Sequence, residues 1–230
     1  MLPMERAKEM KLYSYVVQHD NGYGPNPYFR ACTLCGCKFE GAKKRRNIVQ
    51  LAKEGDWVIG TGGADPRKSA GNGKLVYAMR VDEKLTRWQY FNDRRFERKK
   101  PSKTSTYKQA RGDNQDPRKD GENAFWREAP RLSDRKCQQF ALVSWHFYYF
   151  GAKAVPIPER FKSGKPGGFK LEKKGPGFRS CFHREDIRQF LEWLEKEPHD
   201  GFLGPGRHGD PCYQELPKGS PKCTKCKSSC

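Results

Sequence analysis

The chain has 230 residues, of which 35% are apolar and 32% charged, and its 46 Lys and Arg against 27 Asp and Glu leave a formal charge of +19. A core of modest size with long polar loops is implied, and the positive excess is a statement about partners, for which nucleic acid is the default polyanion. No apolar run approaches the ~18 residues of a membrane span, and no basic amphipathic helix has an apolar face left uncommitted, so no membrane partner is expected.

MLPMERAKEM lacks the apolar segment of a secretory signal, so a cytoplasmic or nucleoid-associated location is expected, with the nine cysteines reduced. Residues 1–10 read as a polar N-terminal extension. KLYSYVVQ, residues 11–18, alternates as a strand does. It leads into HDNGYGPNPYF, residues 19–29, where three turn signals make a sharply bent, ordered loop. His19, Asp20 and Asn26 stand there among Tyr23, Tyr28 and Phe29, a mixture that suits a pocket for a flat polar ligand such as a base. The same residues also suit a turn whose aromatics complete the core.

ACTLCGCK follows with Cys32, Cys35 and Cys37, which resemble part of a metal site. The missing ligands of a zinc site could come from Cys223, Cys226 and Cys230, of which Cys223 and Cys226 have knuckle spacing. No cofactor is otherwise expected. After the basic run Lys43–Arg46, residues 48–53 read as a short helical turn.

GDWVIGTGG and KLVYAMRV, within residues 55–81, read as a strand pair joined by a polar loop. Leu75, Tyr77, Met79 and Val81 fall on one face of the second strand, and alternation predicts that the other face meets solvent or ligand. The loop at 62–74 is no phosphate loop: Gly73-Lys74 runs into Leu75 and a strand, where such a loop needs Ser or Thr and a helix. It reads as a mobile hairpin loop, or as one touching a polyanion through Arg67 and Lys68.

Residues 86–103 interleave Trp88, Tyr90, Phe91 and Phe96 with cations, a pattern of surfaces that stack bases and neutralise backbone. Arg45, Arg46, Arg94, Arg95, Lys99 and Lys100 are the candidate backbone contacts. A short helix pinned to the sheet by the same aromatics is the alternative. ARGDN contributes Asp113 and Asn114 as further ligand candidates, and Trp126 is an isolated aromatic anchor. QFALVS and FYYFG, at 139–144 and 147–151, read as strands, AVPIPERF as an extended segment, and 162–178 as a loop. Ile187, Phe190, Leu191 and Leu194 recur with helical period over 184–197, with Glu185 and Asp186 in the first turn and Pro198 as the stop. Residues 205–230 form a basic Cys/Pro/Gly-rich tail, read as disordered.

The succession KLYSYVVQHDNGYGPNPYF, CTLCGCK, GDWVIGTGG, KLVYAMRV, ARGDN, FYYFG and IRQFLEWL resembles the nucleotide-modification-associated domain 2 family over residues 10–204. That resemblance implies a setting in bacterial and phage DNA base-modification systems. GDWVIG and KLVYAMRV also look like strands of PUA-like domains of the EVE and ASCH groups, a likeness of fold alone. Asp20, Gly22, Pro25, Asn26, Pro27, Cys32, Cys37, Asp56, Trp57, Gly112, Asp113 and Asn114 fit the family pattern; Cys35 and the C-terminal cysteines depart from it.

The expected fold is α+β, a PUA-like mixed β-barrel over residues 11–204 with flanking helices. The expected function is recognition of a modified base or nucleotide, with DNA the foremost carrier and RNA or a free nucleotide left open. Asp20, Tyr23, Asn26, Trp57, Asp113, Asn114 and Trp126 are the ligand candidates. Two alternatives stand beside it: an enzyme acting on the base, with His19 and Asp20 as acid–base pair, and a basic structural protein.

Overall fold

A computed structural model describes residues 10–20, 22, 24–35, 39–40, 44–100, 113, 140–162, 169–173, 175–196 and 201–202. Twelve strands and three α-helices are described: β1 (Leu12–Val17), β2 (Cys32–Cys35), β3 (Phe39–Glu40), β4 (Lys44–Asn47), α1 (Ile48–Leu51), β5 (Trp57–Gly62), β6 (Lys74–Arg80), β7 (Glu83–Thr86), α2 (Arg87–Asn92), β8 (Phe140–Ser144), β9 (Phe147–Tyr149), β10 (Val155–Pro156), β11 (Phe178–Arg179), α3 (Arg184–Lys196) and β12 (Gly201–Phe202). Among the described residues the central sheet runs β11-β1-β5-β6-β9-β12, with β10 also on β6. It is mixed: β1 lies parallel to β5, and β5 and β9 both lie antiparallel to β6. A second sheet, β2-β8-β7, is antiparallel throughout. The fold class is α+β, and no pairing among the described residues joins β11 to β12.

The two sheets pack face to face. Tyr13, Tyr15, Val17, Val58, Tyr77 and Met79 from the first meet Cys32, Leu34 and Leu142 from the second, with Ile48 and Val49 of α1. The other side of the central sheet is covered too. Leu12, Ile59, Leu75 and Ala78 pack beneath Ile187, Phe190 and Leu194 of α3. The strand pair is therefore buried on both faces, and the solvent-facing side that its alternation predicts does not exist. Alternation misleads because every residue from Leu75 to Met79 is apolar or aromatic, and α3 supplies a second apolar layer.

One further departure has a local cause. Gly60 pairs with Tyr77 but Thr61 pairs with Leu75, so Val76 is the extra residue of a β-bulge. The bulge turns Leu75 toward α3, while Tyr77, Met79 and Val81 face the second sheet. Gly60 itself lies under the Tyr77 ring, whose hydroxyl is fixed by Tyr15 at 2.9 Å. A methyl there would overlap both that ring and Val17. Gly60→Ala should destabilise by about 1–3 kcal/mol in urea unfolding; an unchanged midpoint would show that the ring gives way.

The outer face of the second sheet is covered by α2 and by the 3-10 segment Arg94–Lys99. Ala31, Cys35, Ala141 and Val143 meet Tyr90 and Phe96 there. The start of α2 is written in the sequence: Thr86 caps Gln89 N–H at 3.2 Å and Gln89 returns to the Thr86 N–H at 2.8 Å. Asn47 and Gln50 make the same capping box for α1. At the other end of α1, Lys84 donates to the Gln50 and Ala52 carbonyls at 2.6 and 2.9 Å, satisfying groups that a helix end leaves open.

The loop at 62–74 is tied down rather than loose. Ser69 donates to the Val17 carbonyl at 2.5 Å and accepts from the Gly63 N–H at 3.0 Å. The Asp20 N–H donates to the Lys68 carbonyl at 2.8 Å. Arg67 is exposed and paired with Asp65, and this hydrogen-bonded partner holds the Asp65 carboxyl down at about 2.

Candidate functional site

Two strand ends and the turn between them set the geometry. Gly22 takes φ +69 with its Cα against the Tyr28 ring, and Asn26 pairs with Thr33 through two backbone hydrogen bonds of 2.9 Å. Between them the chain turns back at Phe29 and Arg30, both at positive φ (58° and 66°). Consecutive non-glycine residues in this region carry strain, which the surrounding structure has to hold in place.

The side chains that hold it are buried. Lys99 has no exposed surface, and its ammonium donates to Asn26 O at 3.0 Å, Asn26 Oδ1 at 2.9 Å and Ala31 O at 2.9 Å. Asn26 in turn donates to Asp113 Oδ1 at 3.2 Å and accepts from the Tyr28 N–H at 3.2 Å. Asp113 also accepts from Tyr90 at 2.9 Å, from Thr33 and, more distantly, from the Cys35 thiol. Burial pushes the Asp113 carboxyl up, against the pull of Lys99 and its hydroxyl donors. Burial likewise lowers the Lys99 ammonium, against Asp113. Tyr90 is raised by burial and then by Asp113. The network thus connects the loop, β2, α2 and the 3-10 segment.

A second anchor lies at the end of β1. Tyr149 donates to Asp20 Oδ1 at 2.5 Å, and burial followed by Asp20 raises the tyrosine. Asp20 is buried whereas its neighbour His19 is exposed, so the proposed acid–base pair is divided between interior and surface.

Several sequence candidates take structural places. Lys99 is interior and belongs to no phosphate-tracking surface: three oxygens close around its charge. Trp57 is buried in the core, edge-on to His146 at 5.3 Å, so its ring is not offered for stacking. Asp56 accepts from the Lys11 and Lys53 N–H groups at 2.9 and 2.8 Å and joins β1 to β5. Cys32 and Cys35 lie on opposite faces of β2, Cys32 toward Met79 and Cys35 toward Asp113, which prevents both from ligating one ion. Burial pushes the Cys32 thiol up and makes it a poor nucleophile. Among the described residues no group of three His, Cys, Asp or Glu is placed to hold a metal. Tyr23, Cys37, Asn114, Trp126, Cys223 and Cys226 lie outside the described residues, as does the tail.

Around the network, cations lie over rings of the turn, α2 and the 3-10 segment. The Arg98 guanidinium sits 4.3 Å from the Phe29 centroid, the Lys100 ammonium 4.4 Å from Phe91, and the Arg95 guanidinium 5.1 Å from Phe96. Arg94 and Arg30 are exposed beside them in sequence. Arg95 is also held by Glu83 and Asp93, each at 2.7 Å, and Lys100 by Glu97 at 2.6 Å, so both charges are compensated locally. Arg45 and Arg46 lie on β4, separate in sequence from this group. Sequence reasoning counted Phe29 among the aromatics of the loop pocket but missed Arg30 and Trp145.

These features define a mixed α+β domain with cations over aromatic rings around a buried polar network. The family model described as nucleotide modification associated domain 2 matches residues 9–216, and the chain belongs to that family. The description ties the chain to nucleotide modification. No curated protein and no solved structure matches it. Among the described residues no helix is long and apolar enough to cross a membrane.

Proposed function

We propose that the protein is a nucleic-acid-associated module of a nucleotide-modification system, recognising a modified base or nucleotide in DNA. One observation carries the reading: the Arg98 guanidinium lies over Phe29 of the turn and the Lys100 ammonium over Phe91, in a chain of formal charge +19. Cations set beside aromatic rings are the combination that neutralises phosphate next to stacked bases. Recognition is assigned to the turn at residues 24–31, which meets these cations through the Arg98–Phe29 contact. Asp20, Asn26 and Asp113 are then positioning residues that pre-order the turn and lower the entropic cost of binding.

The test is the salt dependence of DNA binding. With about five phosphates neutralised, the log–log slope on duplex DNA should be roughly −4 to −5. A slope near zero would remove the backbone from the argument. Mass spectrometry of nucleotides co-purifying with the protein should then show which base is retained.

A further inference from the structure

We propose that Trp145 is a base-stacking residue and that the face around it takes single-stranded DNA, one unpaired base lying on its exposed indole. The proposal rests on the nucleic-acid reading above, which supplies DNA as the occupant, and it names the stacking contact of that reading.

Trp145 stands at the turn between β8 and β9, with 43% of its surface exposed. An exposed tryptophan is ordinarily free to change rotamer, but this one is held from three directions. Its backbone N–H donates to Asp82 Oδ2 at 2.7 Å, and its indole N–H donates to Glu83 Oε1 at 2.9 Å. Its ring stacks on the buried Phe96, centroids 6.1 Å apart and planes inclined by 22°. The Arg95 guanidinium lies 5.7 Å from the indole centroid. A ring fixed before binding loses little rotamer entropy when a base is laid on it.

The chemistry selects the ligand. The indole has a single hydrogen-bond donor, which Glu83 takes, so the side chain offers its π-face alone. A π-face attracts every base and reads none of them, which is the property of a stacking platform. Glu83 does not repel the backbone as a free carboxylate would, because Arg95 forks onto it at 2.7 and 2.8 Å. With the buried Arg87 and Lys99 set aside, residues 80–100 carry six basic residues against four acidic ones, a balance that suits a polyanion. The base must be unpaired, since within a duplex its faces are covered by its neighbours.

Anisotropy titrations of a labelled oligodeoxythymidylate test this directly. Trp145→Ala should weaken single-strand binding about 5- to 100-fold, while Trp145→Phe retains most of it. The log–log salt slope and the affinity for duplex DNA should be unchanged, because no phosphate contact is removed. A 5-iododeoxyuridine oligonucleotide should photo-crosslink to the peptide containing Trp145 of the unaltered protein. Equal binding by Trp145→Ala, an equal loss on duplex, crosslinks confined to other peptides, or tighter binding of oligouridylate would each overturn the proposal. The two readings fail separately. A parent protein that binds no oligonucleotide at low salt sinks the nucleic-acid reading, whereas a steep slope with an unaffected Trp145→Ala sinks stacking alone.

Discussion

Lys99→Met should lower the unfolding free energy by about 3–5 kcal/mol, the range seen when one partner of a buried charge network is removed. Methionine fills similar volume, so the loss reports polar chemistry more than a cavity. Three oxygens, two of Asn26 and one of Ala31, would lose their donor in a site without exposed surface. Asp113 would lose the cation that opposes the effect of burial on its carboxyl. Urea denaturation with a constant m-value is the measurement. Asp113→Asn added to Lys99→Met should cost less than the sum of the two single changes, because both act on one network. A loss below about 1 kcal/mol, the value of an exposed pair, would mean that Lys99 reaches solvent after all.

The interior location of Lys99 also shows where the sequence was legible and where it was not. β1, the β5–β6 pair and α3 follow from local periodicity, because each spends its apolar residues on a core that the pattern itself implies. The buried second face of β6 does not, since burial there depends on α3, more than a hundred residues later. Residues 94–100 read RRFERKK, and nothing local separates Lys99 from its neighbours. Its fate is decided by oxygens from residues 26 and 31, brought close by the β2–β8 pairing and by the α2 cap. The Thr86-x-x-Gln89 spacing of that cap went unnoticed among the aromatics and cations of 86–103. The cap places Tyr90 against the second sheet and fixes which way the basic segment starts. The loop at 19–29 was legible as an ordered turn carrying important polar groups, but not their direction. Asp20 and Asn26 point inward, onto Tyr149, Asp113 and Lys99, because an apolar sandwich tolerates buried carboxylates and amides only where donors meet them.

That inward direction changes what Asn26→Ala should do. The substitution takes an acceptor from Lys99 and from the Tyr28 N–H, and a donor from Asp113. Each buried group left unsatisfied costs about 1–3 kcal/mol, so a clear loss of stability is expected before any ligand is considered. The backbone bridge from residue 26 to Thr33 does not use the side chain and should survive, keeping the turn attached while its tip loosens. Binding should then divide into two parts. Affinity for unmodified DNA should persist, because Arg94, Arg98 and Lys100 do not depend on the amide of Asn26 for their charge. Discrimination for the modified base should fall by roughly 1–3 kcal/mol, the value of a good base contact, if the turn at 24–31 makes one. Circular dichroism and a thermal melt must place the binding assay well below the variant's midpoint. Should the folded variant discriminate as the parent does, the turn makes no base contact and recognition lies elsewhere on the domain. Should it instead lose affinity for all DNA equally, the turn serves the backbone-binding face alone.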